Sequence, residues 1–396
     1  MLTLDKVFDA QVALRHIIRE TALVRSYGIA PECELYLKPE NLQITGSFKV
    51  RGSAYKISTL SEEEKQKGVI ACSAGNHAQG VALAATKNGI SSLICLPDSA
   101  PISKVEATKG YGAEVCLVEG CYDDAYQKAL ELKESKGYTF VHPFDDENVI
   151  AGQGTIALEI LNDLDNIDAL VVPVGGGGLI SGVAFAAKQI RPSLKVYGVQ
   201  VAGAPSMYNS IKSGTIECLD SVGTIADGIA VKQPGENTFR YVSDYVDDIA
   251  LVTDDEVSSA ILSLIENQKM IAEGAGAASV AAVMFHKFPL EGKRVVSIVS
   301  GGNIDVTSLS RVIDRGLLKA GRSSSLLIEL IDKPGQLKDI SRIIADCGGN
   351  VTGVHYEKGH TESVNGCFLR IEMETRNYEH VQQITKTLRG EGFKIV

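Results

Sequence analysis

The chain has 396 residues, 44% hydrophobic and 22% charged, which is the composition of a soluble globular protein and not of a disordered one. Its length suits two or three domains. A net charge of −10, without a basic run to neutralise phosphates, excludes nucleic acid as a partner.

Eight cysteines with no CxxC pair lie mostly in apolar runs, and read as buried, reduced thiols of a cytoplasmic protein. In chain order, the N-terminus lacks the apolar core of a signal peptide. Residues 5–20 then carry helical spacing through Val7, Phe8, Leu14, Ile17 and Ile18, and residues 34–38 alternate as a strand. The segment Thr45-Gly46-Ser47-Phe48-Lys49-Val50-Arg51-Gly52 follows. Lys49 stands beside Phe48 and small residues, with Arg51 as its nearest ionic neighbour. Apolar surroundings and a nearby cation both disfavour an ammonium, which prepares an amine for a Schiff base with a carbonyl cofactor. A surface lysine laying its stem on an apolar patch is the alternative.

Short apolar strands at 69–72, 92–96, 114–118 and 139–141 alternate with helical patterns, as βαβ units of a parallel sheet do. A second series has strands at 169–174, 195–201, 249–252 and 295–299, with helices at 179–190, 254–266 and 274–287. The uncharged run 169–187 contains Pro173 and four glycines, so it reads as a buried strand and helix and not as a membrane span. Polar and glycine-rich segments close three strands, at 73–77, 175–178 and 300–303. Ligands of open α/β sheets bind at such strand ends, and a cleft between two α/β lobes is expected. Residues 319–325 look like a linker. Beyond them, 326–396 has the order βαββαβ, a ferredoxin-like arrangement large enough to bind a small regulator.

Three motifs join Lys49. Gly175-Gly176-Gly177-Gly178-Leu179 closes a strand and opens a helix, where close backbone approach and free amides suit a phosphate. The dinucleotide fingerprint fails, because position 180 is isoleucine. Ser73-Ala74-Gly75-Asn76-His77 offers a hydroxyl, an amide and backbone N–H groups at a helix start, either as an anion pocket or as a capping turn. Ser300-Gly301-Gly302-Asn303 offers a neutral hydroxyl for a ring nitrogen, or is one more turn.

In this order, the four motifs resemble the fold type II enzymes of pyridoxal 5′-phosphate, and most closely the threonine/serine ammonia-lyases. The resemblance covers residues 1–318, with a smaller lobe of about 46–150 inserted in the larger. Residues 326–396 resemble an ACT domain through Asp332-Lys333-Pro334-Gly335 and Gly349-Asn350-Val351. It implies that Lys49 holds the cofactor and removes the substrate α-proton, with Phe48 beside it. Gly175 to Leu179 would hold the phosphate, Asn76 the ring oxygen, Ser300 the ring nitrogen, and Ser73, Ala74, Gly75, Asn76 and His77 the substrate carboxylate.

The reaction implied is α,β-elimination of L-threonine, and also of L-serine, to a 2-oxo acid and ammonia. Asp332, Gly335, Gln336, Leu337 and Asn350 would serve an effector such as isoleucine or valine, in a homo-oligomer of two or four chains. Related serine racemases carry a second serine where Ala74 stands, and acidic cation ligands where Gln200 and Ser206 stand. Racemisation and a divalent metal are therefore not expected. L-serine or hydroxyaspartate ammonia-lyase activity is the alternative within the fold. A nicotinamide-dependent oxidoreductase and an inactive amino-acid sensor are the alternatives outside it.

Overall fold

A computed structural model describes residues 1–358 and 366–396. Two compact units divide between Asp305 and Val306. In chain order the strands are β1 (Val24–Arg25), β2 (Glu34–Pro39), β3 (Val69–Cys72), β4 (Ser92–Pro97), β5 (Glu114–Val118), β6 (Thr139–Phe140), β7 (Ala169–Pro173), β8 (Lys195–Val201), β9 (Asp248–Val252), β10 (Arg294–Val299), β11 (Ser323–Ile331), β12 (Asn350–Lys358), β13 (Gly366–Glu374) and β14 (Lys394–Ile395).

The first unit holds two sheets. The smaller has the order β5-β4-β3-β6, and all its pairings are parallel. The larger has the order β1-β2-β10-β7-β8-β9, parallel except for the β1–β2 pair. Strands β3 and β7 are buried along their whole length. That explains why they read as continuous apolar runs and not as alternating ones: helices cover both faces of such sheets. The helix Glu147–Asp163 buries an unbroken stretch from Val149 to Ile160 against the helices Lys49–Ser58 and Gly178–Ile190. Gly152 and Gly182 permit this closeness. A Cβ on Gly152 would lie 2.6 Å from the Arg51 carbonyl, and one on Gly182 would lie 2.2 Å from the Ile150 carbonyl.

The second unit begins with the helix Val306–Lys319 and continues as an antiparallel sheet of order β12-β13-β11-β14, with the helices Gln336–Asp346 and Tyr378–Gly390. Ile328, Ile340, Ile344, Ile371, Ile384 and Leu388 are among the residues of its own core. The expected linker 319–325 is shorter than the sequence suggests: Lys319 ends a helix and Ser323 starts β11. Serines are compatible with an edge of pleated sheet, so a polar run there did not mean a loop.

The cysteines also differ from expectation. Cys72, Cys95 and Cys367 are buried, but Cys121 and Cys218 are exposed, and all eight are free thiols. No helix among the described residues is long and apolar enough to cross a membrane.

Candidate active site

Lys49 is the first residue of the helix Lys49–Ser58, and the loop before it is tied to the end of β10. Phe48 N donates to the Ser300 carbonyl at 3.1 Å, Gly302 N donates to the Gly46 carbonyl at 2.9 Å, and Ser47 forms an isolated bridge with Gly301. Thus the two motifs farthest apart in sequence are joined backbone to backbone. The half-buried Lys49 amine donates to the Pro143 carbonyl at 2.9 Å and lies 5.4 Å from the centre of the Phe48 ring. Burial lowers its pKa from 10.5 to about 8, against the opposing pull of Glu273.

Arg51 has no part in that shift. It is buried, with Nε 2.8 Å from Glu40 Oε2 and Nη1 2.6 Å from Glu159 Oε1. Lys38 joins Glu159 at 2.6 Å. Burial opposes ionisation of Glu40, yet the charge and hydrogen bonds of Arg51 overcome it and hold the carboxyl below its ordinary range. The cation expected to act on Lys49 is consumed by carboxylates that proximity in sequence could not reveal.

The glycine run is packed on every side. A Cβ on Gly176 would lie 2.5 Å from the Phe144 ring, and one on Gly178 would lie 2.8 Å from Phe144 Cβ. Gly177 has φ +95° and would meet Met207 and Thr238. Close approach alone therefore demands these glycines. The N–H groups of Gly176, Gly177, Gly178 and Leu179 are buried, and no acceptor among the described residues pairs with them. Buried backbone donors are rarely left so, and at a helix start they suit a dianion.

Ser300 is buried, and its hydroxyl has no hydrogen-bond partner among the described residues. At the other lobe, Ser73 Oγ accepts from Gly75 N at 3.2 Å and shapes the turn. A Cβ on Gly75 would meet nothing within 4 Å, so open space lies over this loop. Asn76 opens the helix Asn76–Lys87. The His77 side chain turns away: it is buried, with Nε2 2.8 Å from the Val141 carbonyl, and burial beside Lys49 pushes its pKa down to about 3. Only its backbone can serve the loop. Ala74 adds no polar group.

Glu273, Phe144 and Thr238, not singled out from sequence, complete the site together with Asn303 of the last motif. Glu273 Oε1 accepts from Asn76 Nδ2 at 2.6 Å, and Asn303 Nδ2 donates to Asn76 Oδ1 at 2.8 Å. Phe144 covers the glycines, and Thr238 Oγ1 donates to the Gly176 carbonyl at 2.6 Å. Glu273 lies 197 residues from Asn76 along the chain, so no local pattern could have marked it. Gln200 Oε1 accepts from Tyr208 N at 2.7 Å, and Ser206 Oγ donates to the Val231 carbonyl at 2.7 Å.

In the second unit, a concavity of about 230 Å³ is lined by Asp332, Gly335, Gln336, Leu337, Tyr356 and others. Asn350 lies at the other end of β12, where its amide donates to Glu374 at 2.9 Å. It is not part of that concavity.

Residues 14–301 match the pyridoxal-phosphate dependent enzyme family. The chain belongs to the pyridoxal-phosphate dependent enzymes. Residues 322–391 of this pyridoxal-phosphate enzyme match the ACT domain. It is 47% identical to an L-threonine ammonia-lyase of Thermotoga maritima, over 100% of this chain and 99% of that protein. Among solved structures, the processed form of threonine deaminase isoform 2 from Solanum lycopersicum has a TM-score of 0.74 and 39% identity, covering 78% of this chain and 93% of that one. Maize serine racemase has a TM-score of 0.75 and 35% identity, covering 80% and 98%. The residues present fit the cofactor: a half-buried amine of lowered pKa, buried unpaired amides for a phosphate, and an uncommitted hydroxyl.

Proposed function

We propose that this enzyme is an L-threonine ammonia-lyase that releases 2-oxobutanoate and ammonia by α,β-elimination and also acts on L-serine. The observation that carries the reading is the half-buried Lys49 amine, lowered to about 8, in a chain with the three glycine- and serine-rich strand ends of such lyases. Pyridoxal phosphate, when bound, withdraws electrons from the substrate Cα.

The chain's own groups do the rest. Lys49 is the covalent anchor and the base that takes the α-proton, and a pKa near ambient pH suits both tasks. The unpaired amides of Gly176 to Leu179 hold the phosphate, and Ser300 offers its neutral hydroxyl to the ring nitrogen. Asn76 offers an N–H to the ring oxygen, and the amides of residues 73–77 take the substrate carboxylate. Ala74 leaves the face opposite Lys49 without a hydroxyl, which favours elimination over racemisation.

The ACT domain's concavity at Asp332 to Leu337 fits an amino-acid effector such as isoleucine or valine, in a cytoplasmic homo-oligomer. The test is 2-oxo acid release from L-threonine and L-serine beside Lys49→Ala. Wild-type release with loss of at least a thousandfold in the variant is expected, since nucleophile and base vanish together. A yellow wild-type protein releasing no oxo acid from either substrate would refute the substrate reading and leave the family intact.

A further inference from the structure

Glu273 is the residue before the helix Gly274–Met284, and its carboxyl does not bond the first amides of that helix. It is buried and turned to the Asn76 amide, 2.6 Å away. The space it occupies is made by glycines: a Cβ on Gly301 would lie 2.3 Å from Glu273 Oε1, and one on Gly228 would lie 3.4 Å from it. On the opposite side of Asn76, Asn303 Nδ2 donates to Oδ1 at 2.8 Å and to the Thr45 carbonyl at 2.7 Å. A donor on one end and a carboxyl on the other fix which end of Asn76 is nitrogen. One N–H of that nitrogen is taken by Glu273, and one is left.

We propose that Glu273 is a positioning residue: its carboxyl holds the Asn76 amide so that the remaining N–H meets the cofactor ring, and its charge is felt at the ring oxygen. This rests on the reading of Asn76 as the partner of that oxygen. The charged groups facing Glu273 are Asp227, Lys104 and Lys49. Burial, with Asp227 adding to the rise, pushes its pKa up to about 7, so its charge changes within the working range. An anion there disfavours a negative ring oxygen and a neutral acid does not, so the two absorption bands of the bound cofactor should exchange weight as Glu273 ionises.

The experiment is a pH titration of cofactor absorbance, with equilibrium dialysis of pyridoxal phosphate, on the full-length enzyme. The wild type should show a step near neutral pH. Glu273→Gln keeps an acceptor for Asn76 without charge, so it should bind cofactor and lose the step. Glu273→Ala should bind cofactor about tenfold more weakly, the worth of a charge-assisted hydrogen bond. Should the Gln variant fold poorly, Glu273→Asp keeps the charge but withdraws it, and should keep a step with weakened binding. A wild type with no step, a Gln variant with the wild-type step, or an Ala variant of undiminished affinity overturns the proposal. Asn76→Ala decides the underlying reading separately. A wild-type spectrum there removes Asn76 from the ring, whereas an altered one beside an unaltered Glu273→Gln removes Glu273 alone.

Discussion

Lys49 and Glu273 are both held against their ordinary charge states, and the cofactor-free protein should reveal it. Glu273 has a folded pKa of about 7 against an ordinary 4.5, so the folded state binds more protons between those values and stability falls as pH rises through them. Lys49 has about 8 against 10.5, so the unfolded state binds more protons above 8 and stability climbs from there to about 10.5. The two together place a stability minimum near pH 7–8. Lys49→Met should raise the stability of the cofactor-free protein by about 2 kcal/mol at pH 7, somewhat under the full shift because the Pro143 bond is lost. Urea unfolding from pH 5 to 10 measures this, and a variant equally less stable at every pH would refute it.

The helix that carries Lys49 is anchored by a charge cluster out of water. Arg51 bonds both Glu40 and Glu159, and Glu159 also bonds Lys38. Replacing Arg51 with Met takes the cation from buried Glu40, leaves Glu159 with Lys38 alone, and should cost about 3–5 kcal/mol. Adding Glu40→Gln should recover part of that. A loss under about 1 kcal/mol in thermal or urea melts would show that water reaches the carboxylates.

This cluster also marks how far the sequence could be read. The glycines, Lys49 and Ser300 were legible because backbone geometry and chemistry leave few substitutes at those places. Arg51 was visible as a cation, but its partners lie 11 and 108 residues away, so its effect on Lys49 was misjudged. Glu273 and Phe144 were missed for the same reason: pairing across two lobes leaves no local period. The βαβ alternation was plain because buried parallel strands are continuous apolar runs, whereas the serines that open β11 carried no such mark.

Each of the two units has its own core, with Leu170, Ile180 and Val296 in one and Ile328, Ile344 and Ile371 in the other. Deleting residues 323–396 should therefore leave 2-oxo acid release within about threefold of the full chain and abolish its response to isoleucine or valine. Steady-state assays with and without effector test this. A truncated enzyme that still responds would place the effector in the first unit.

The position of β10 bears on how the protein is made. It lies between β2 and β7, and its end is pinned to the loop before Lys49. During synthesis the strands β2 and β7 cannot meet until residues 294–299 have left the ribosome. A lysine near the start of the message thus waits for a strand translated some 250 codons later. The loop that presents Lys49 is closed only by the last strand of the larger sheet, across about 250 residues of intervening chain.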